Sequence, residues 1–254
     1  MKTLVVCGDS WMSPVKGHNH EKYEGTHFSE IIAKKLNYKL ITYSMSGMSM
    51  GGICIQLKTA LELNPKPDLI IFNTTTSTRF EWPINDVDEI RDISVQDIYY
   101  CKKESLSHYN EELNRHPKII CHSIDYIVDK QVYMWENKDK YGKERLEALT
   151  QYLTWLYHPD LKRFMDSCMM YGMIRRVHDS NIPYLILLDN GNSIARQCSW
   201  MSENNYASYD VELFDYGHHD YNWEDPGYHT TVECQKKIAD LLLTKYIPKL
   251  LNDQ

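Results

Sequence analysis

The sequence predicts an α/β fold built around a parallel sheet, and three observations lead there. Short apolar, partly β-branched runs alternate with helix-spaced apolar patterns from Leu4 to Phe72. The connections between them are short, as in strand–helix–strand units with right-handed crossovers. The first two runs end in turns of small residues, at Gly8-Asp9-Ser10 and at Ser44-Met45-Ser46-Gly47.

The elements follow in order. Residues 4–7 read as a buried strand. Residues 27–36 set Phe28, Ile31, Ile32 and Leu36 at helical spacing. Residues 38–43 form a second strand. Residues 53–63 carry Ile53, Leu57, Ala60 and Leu61 on one helical face, and Pro65 and Pro67 stop that helix. Residues 69–72 form a third strand. In such sheets ligands bind beyond the carboxyl ends of the strands. The ends at Ser10, at Ser46-Gly47 and from Asn73 onward should therefore converge on one crevice.

Residues 80–145 are rich in Asp, Glu, Lys, Asn and Tyr and lack clear periodicity. They read as an insertion or cap with short helices, either a surface excursion or a lid over the pocket. Leu146, Leu149, Leu153 and Leu156 then fit one helix, broken at His158-Pro159. A second helix is expected over 160–179 and a fourth strand over 184–188, ending at Asp189-Asn190-Gly191. Residues 192–228 read as aromatic loops. Residues 232–246 form a last amphipathic helix with Ile238, Leu241 and Leu242 inward. The expected organisation is a single domain, 1–254, with the insertion at about 80–145.

Composition narrows the function. The chain is 43% hydrophobic and 25% charged, with a net charge of -7, so it lacks the clustered basic footprint of a nucleic-acid binder. Its seven cysteines are odd in number and widely spaced, which argues against a disulfide framework or structural zinc. They fit a reducing compartment. The apolar run at residues 4–7 is too short for a signal peptide, and no run has the length of a membrane span. A cytoplasmic protein without membrane partners is expected, and its oligomeric state is left open. No Gly-rich phosphate loop calls for a nucleotide cofactor, and none is expected.

Two elements carry chemistry. Gly8-Asp9-Ser10 sits where a strand hands over to a loop, so Ser10 is presented at the strand's carboxyl end. A serine hydroxyl needs a positioned base to act as a nucleophile. His229, in Asp225-Pro226-Gly227-Tyr228-His229, lies just ahead of the last helix and can take and return a proton near neutral pH. Each element alone is equally served by a blander role, a loop cap or a loop histidine.

Together they resemble the SGNH (GDSL-like) hydrolase family. Gly8, Asp9 and Ser10 match its first block, Ser46-Gly47 its second, and His229 its last. Residues 25–30, Gly-Thr-His-Phe-Ser-Glu, and Ser46-Gly47-Met48-Ser49 look like a subgroup found in bacterial viruses. The resemblance implies a three-layer α/β sandwich of flavodoxin-like type. It further implies a serine hydrolase acting on a small ester or an acylated carbohydrate. Ser10 would be the nucleophile, His229 the base, and Asp225 the residue that orients His229. The amides of Ser10 and Gly47, with Asn73 or Thr76, would hold the oxyanion.

Two departures stand against the pattern. The family's Gly-x-Asn-Asp after the third strand is replaced by Asn73-Thr74-Thr75-Thr76-Ser77-Thr78-Arg79, so Thr75, Thr76 or Ser77 is an alternative donor to Asn73. The usual Asp-x-x-His becomes Asp225-Pro226-Gly227-Tyr228-His229, which leaves Asp220 or a backbone carbonyl as alternatives to Asp225. Trp11, Arg79 and Tyr228 are candidates for the substrate pocket. Trp11 serves equally as packing and Arg79 as a surface ion pair. His18 and His20 with His218, His219 and Asp220 could gather a metal, but no spacing fixes a ligand geometry and none is expected. The rival reading is a catalytically weak or inactive module of the same fold, with a binding or structural role such as in a virus particle. A flavodoxin-like nucleotide binder ranks third.

Overall fold

β1 (Thr3–Cys7) is an inner strand of the sheet, paired in parallel with β2 (Lys39–Thr42) on one side and β3 (Leu69–Asn73) on the other. β3 pairs with β6 (Tyr184–Leu188), and β6 with the short β7 (Tyr206–Ser208). The resulting order, β2-β1-β3-β6-β7, is that of flavodoxin-like doubly wound sheets. The computed structural model describes residues 1–14, 23–44, 48–75, 79–84, 118–123, 147, 151–188, 200–208 and 231–252. For Ser10, Ser208 and residues 79–84, 118–123 and 153–154 the description covers the backbone.

Alternation along the strands divides the core into two layers, because successive side chains point to opposite faces. Val5, Cys7, Ile70, Phe72, Tyr184 and Ile186 face α2 (Met50–Glu62) and α3 (Pro159–Asp179). Leu4, Val6, Leu69, Ile71, Leu185 and Leu187 face α1 (Phe28–Leu36) and α4 (Val232–Leu241). The fold is therefore a three-layer α/β sandwich, as expected. The sheet reverses its winding between β1 and β3, where an open α/β sheet places its ligand crevice.

The helix ends follow local rules. His27 caps α1 by accepting the Ser29 amide, while Glu30 reaches back to the His27 amide, completing a capping box. Ser49 caps α2 by accepting the Gly52 amide, and Thr231 caps α4 by accepting the Cys234 amide. Pro159 occupies the first turn of α3, and His158 accepts from the Leu161 amide. The His158-Pro159 pair thus starts a helix as well as ending the segment before it.

Several elements differ from expectation. The expected helix ending at Leu156 is described at Glu147 and from Gln151 onward, and Tyr152–Leu156 is a π-helical turn, closed by the Tyr157 amide on the Tyr152 carbonyl at 2.8 Å. The two described segments of the polar insertion are strands rather than helices. β4 (Arg79–Ile84) pairs antiparallel with β5 (Lys118–Ser123), apart from the main sheet. A separate two-stranded ribbon tolerates Pro83, which a central strand would not. β7 and the 3₁₀ turn Glu203–Asn205 lie in the stretch read as loops. The last helix continues past Tyr246 through a π turn, Leu242–Tyr246, into α5 (Ile247–Asn252). Among the described residues, no helix is long and apolar enough to cross a membrane.

Candidate active site at the carboxyl edge of the sheet

The site begins with a glycine that cannot be replaced in place. Gly8 follows β1 with φ +149°, a region that L side chains rarely adopt. A Cβ built there would collide with Asn73 Oδ1 and Met12 Cγ. From α2, Gln56 brackets this residue. Its Oε1 accepts the Gly8 amide at 2.6 Å and its Nε2 donates to the Gly8 carbonyl at 3.2 Å. Both backbone groups of a buried turn are satisfied by one side chain.

Asp9 is the next anchor. Its carboxyl accepts hydrogen bonds from Asn73 Nδ2 at 2.8 Å, from Thr75 Oγ1 at 2.8 Å and from the Trp11 amide at 3.1 Å. The Asp9 amide in turn donates to Asn73 Oδ1 at 3.2 Å. Asp9, Asn73 and Thr75 are all buried. The end of β3 therefore locks the end of β1 through side chains. The backbone then enters a 3₁₀ turn, Ser10–Met12, with Ser10 as its first residue. The Met12 amide donates to the Asp9 carbonyl, closing the turn.

Two further elements hold that turn. Just past β2, Ser44 Oγ donates to the Met12 carbonyl at 2.8 Å. The Nε2 of His27, at the start of α1, lies 3.3 Å from the Trp11 carbonyl. His27 is fully buried, and that burial pushes its pKa down to about 3, against the hydrogen bond to Trp11, which raises it. With Nδ1 accepting the Ser29 amide, the ring proton belongs on Nε2, where it donates to Trp11. The amide of Phe28 donates to Oε1 of Gln235 in α4 at 2.9 Å.

The expected convergence of three strand ends is thus visible in part. The ends of β1 and β3 interlock, and Ser44 brings in the end of β2. Asn73 is the last residue of β3 and is only 1% exposed; its amide is paired with Asp9. Thr75, an alternative oxyanion donor, directs its hydroxyl to Asp9. Trp11 is half-buried and packs against the layer of α1 and α4. Arg79 opens β4, and its side chain is outside the description, as is that of Ser10. Gly47, Thr76, Ser77, Asp220, Asp225, Tyr228 and His229 lie outside the described residues, as do His18, His20, His218 and His219.

Three anchoring residues were not singled out from the sequence, yet each leaves a trace there. Gln56 falls on the helical stripe of positions 53, 56, 57 and 60, which is otherwise apolar, so a polar side chain faces the core. His27 precedes a helix and stands three residues before Glu30, the spacing of a capping box with His in place of Ser. Gln235 shares a buried face with Cys234, Ile238 and Ala239.

No family model matches the chain, and no curated protein matches its sequence. Solved structures to which it is similar include the esterase EstA from Pseudoalteromonas sp., at 13% identity and a TM-score of 0.49, covering 99% of this chain and 100% of that one. TesA is similar at 12% identity and a TM-score of 0.45, over 97% of this chain and 99% of that one. The lipase Lip_vut3 from a goat rumen metagenome is similar at 12% identity and a TM-score of 0.43, over 97% and 98%.

Proposed function

We propose that the chain is a serine hydrolase of SGNH type, acting on a small ester or an acylated carbohydrate. The observation that carries this reading is the interlocked turn at the sheet's switch point. Gly8, Asp9, Gln56, Asn73 and Thr75 fix the backbone that presents Ser10 where an open α/β sheet binds its ligand. A nucleophile is best carried by a backbone that cannot move.

In this mechanism Ser10 Oγ attacks the ester carbonyl carbon while His229 takes the hydroxyl proton. The oxyanion is held by the amides of Ser10 and Gly47, with Asn73 or Thr76 as third donor. Asn73 Nδ2 carries a second hydrogen beyond the one given to Asp9. The C–O bond to the alcohol then breaks, and His229 returns the proton to the leaving oxygen. Water, deprotonated by His229, attacks the acyl carbon; the C–O bond to Ser10 breaks and His229 returns the proton to Ser10 Oγ, releasing the acid. Asp225 orients the imidazole. Trp11, Arg79 and Tyr228 are the proposed contacts to the substrate.

One observation favours a second reading, a non-catalytic module of the same fold, such as a component of a virus particle. The Asn73 amide is buried and paired with Asp9. Incubation with p-nitrophenyl acetate and a fluorophosphonate probe separates the two. The hydrolase reading expects labelling of Ser10, and turnover abolished by Ser10→Ala and by His229→Ala. Absence of labelling, with turnover no higher than that of Ser10→Ala, sinks it.

A further inference from the structure

We propose that His27 and Gln235 are positioning residues that join the Ser10 turn to the start of α4. The proposal rests on the reading of Ser10 and His229 as nucleophile and base. It accounts for two buried polar side chains that the mechanism itself does not use.

The contacts form one continuous path. His27 Nε2 meets the Trp11 carbonyl at 3.3 Å, inside the 3₁₀ turn that begins with Ser10. The next amide along, that of Phe28, donates to Gln235 Oε1 at 2.9 Å. Gln235 stands in the first turn of α4, where its own amide donates to the Thr231 carbonyl at 3.0 Å. His229 is two residues before Thr231 in the sequence. One end of α1 therefore holds both the turn that carries the nucleophile and the helix cap that follows the base.

The surroundings sharpen the argument. The layer here is apolar, built from Met12, Phe28, Ile32, Cys234 and Ile238. Apolar side chains would fill it without the expense of burying an imidazole and an amide, and Ser or Asp would cap α1 as well. What His and Gln add is direction. Each fixes one hydrogen bond between elements far apart in sequence, and such bonds set register in a way that packing alone does not.

Asn and Gln dissect the imidazole. Asn at position 27 keeps an acceptor near the Nδ1 position, and with it the helix cap, but has no donor for Trp11. Gln restores a donor near the Nε2 position. The full-length chain is assayed for p-nitrophenyl acetate turnover, for the rate of fluorophosphonate labelling, and for amide exchange at residues 11–12 and 29–32. His27→Asn is expected to lower kcat about ten- to a hundredfold with KM changed less than about twofold. Exchange should quicken at residues 11–12 and stay protected at 29–32. His27→Gln should recover kcat to within a few fold. Gln235→Leu should lower kcat comparably, and the double variant should be no slower than the slower single variant.

Wild-type kcat together with wild-type exchange at residues 11–12 in His27→Asn overturns the proposal. So does a loss of activity that tracks loss of protection at 29–32, which marks a purely structural cap. If the wild-type chain neither turns over esters nor labels, the hydrolase reading fails separately. The exchange measurement then still decides whether His27 holds the turn.

Discussion

Acidification should destabilise this protein through His27 in a way that can be isolated. The imidazole titrates near 6.5 when exposed and is held down to about 3 by burial in the fold. Between those values the unfolded chain binds a proton that the folded chain refuses. Stability from this group is therefore complete above about pH 6.5 and is lost as pH falls toward 3. Each pH unit in that window removes about 1.4 kcal/mol, so the step from pH 6.5 to 5 removes about 2 kcal/mol. For a chain of this size that is a fall of about 4–8 °C in melting temperature. Other charged groups face the same region, including the Glu30 carboxyl on the His27 amide and the Asp9 carboxyl on the Trp11 amide. They are common to wild type and His27→Asn, so the difference between the two removes them. Urea unfolding of both proteins at pH 7, 6 and 5 should show the stability gap narrowing by about 2 kcal/mol as pH falls. Parallel profiles would refute the claim that the fold holds His27 neutral.

Other outcomes follow from the same contacts. Gly8→Ala combines a disfavoured φ with a collision against Asn73, and urea unfolding should show a loss of about 2–4 kcal/mol. Gln56→Leu leaves the buried Gly8 amide and carbonyl without their partner and should cost about 2–4 kcal/mol by the same measurement. Asp9→Ala strips acceptors from Asn73, Thr75 and the Trp11 amide, whereas Asp9→Asn keeps one acceptor oxygen. Alanine should therefore be the more damaging change by about 1–2 kcal/mol in thermal unfolding. Among the described cysteines, Cys168 is exposed while Cys7, Cys54 and Cys234 are buried, and burial pushes the Cys7 thiol up. Thiol labelling of the native chain, read by peptide mass spectrometry, should modify Cys168 rapidly and the other three only after denaturation.

The sheet was legible because its strands are the most apolar segments and its early connections are short. Residues 4–7, 69–72 and 184–188 announce themselves, and each is fully buried in the fold. Period-two alternation marks β4 as well, through Phe80, Trp82 and Ile84, but Pro83 and the polar flanks mask it. β7 has three residues, too few for a periodicity to register. The π turn at Tyr152–Leu156 shares the leucine spacing of an α-helix, so a pattern of side chains cannot reveal it. At the site, the strand-end position of Ser10 was readable from the Gly-Asp-Ser handover. The anchors around it were not, because hydrogen bonds from Gln56, His27 and Gln235 join residues 48, 16 and 207 positions apart. Nothing local in a sequence encodes such pairings. A polar residue on an apolar helical face is the trace they leave.

The pairing of Phe28 with Gln235 has a consequence for the order of assembly. During synthesis the segment from β1 to β3 emerges early, and Gly8, Asp9, Gln56 and Asn73 can interlock as soon as it does. Gln235 arrives 207 residues after Phe28. The turn that bears Ser10 can thus be built long before the helix that braces it, since contacts this distant close last. A nascent chain then carries the interlocked turn without the completed brace until α4 docks.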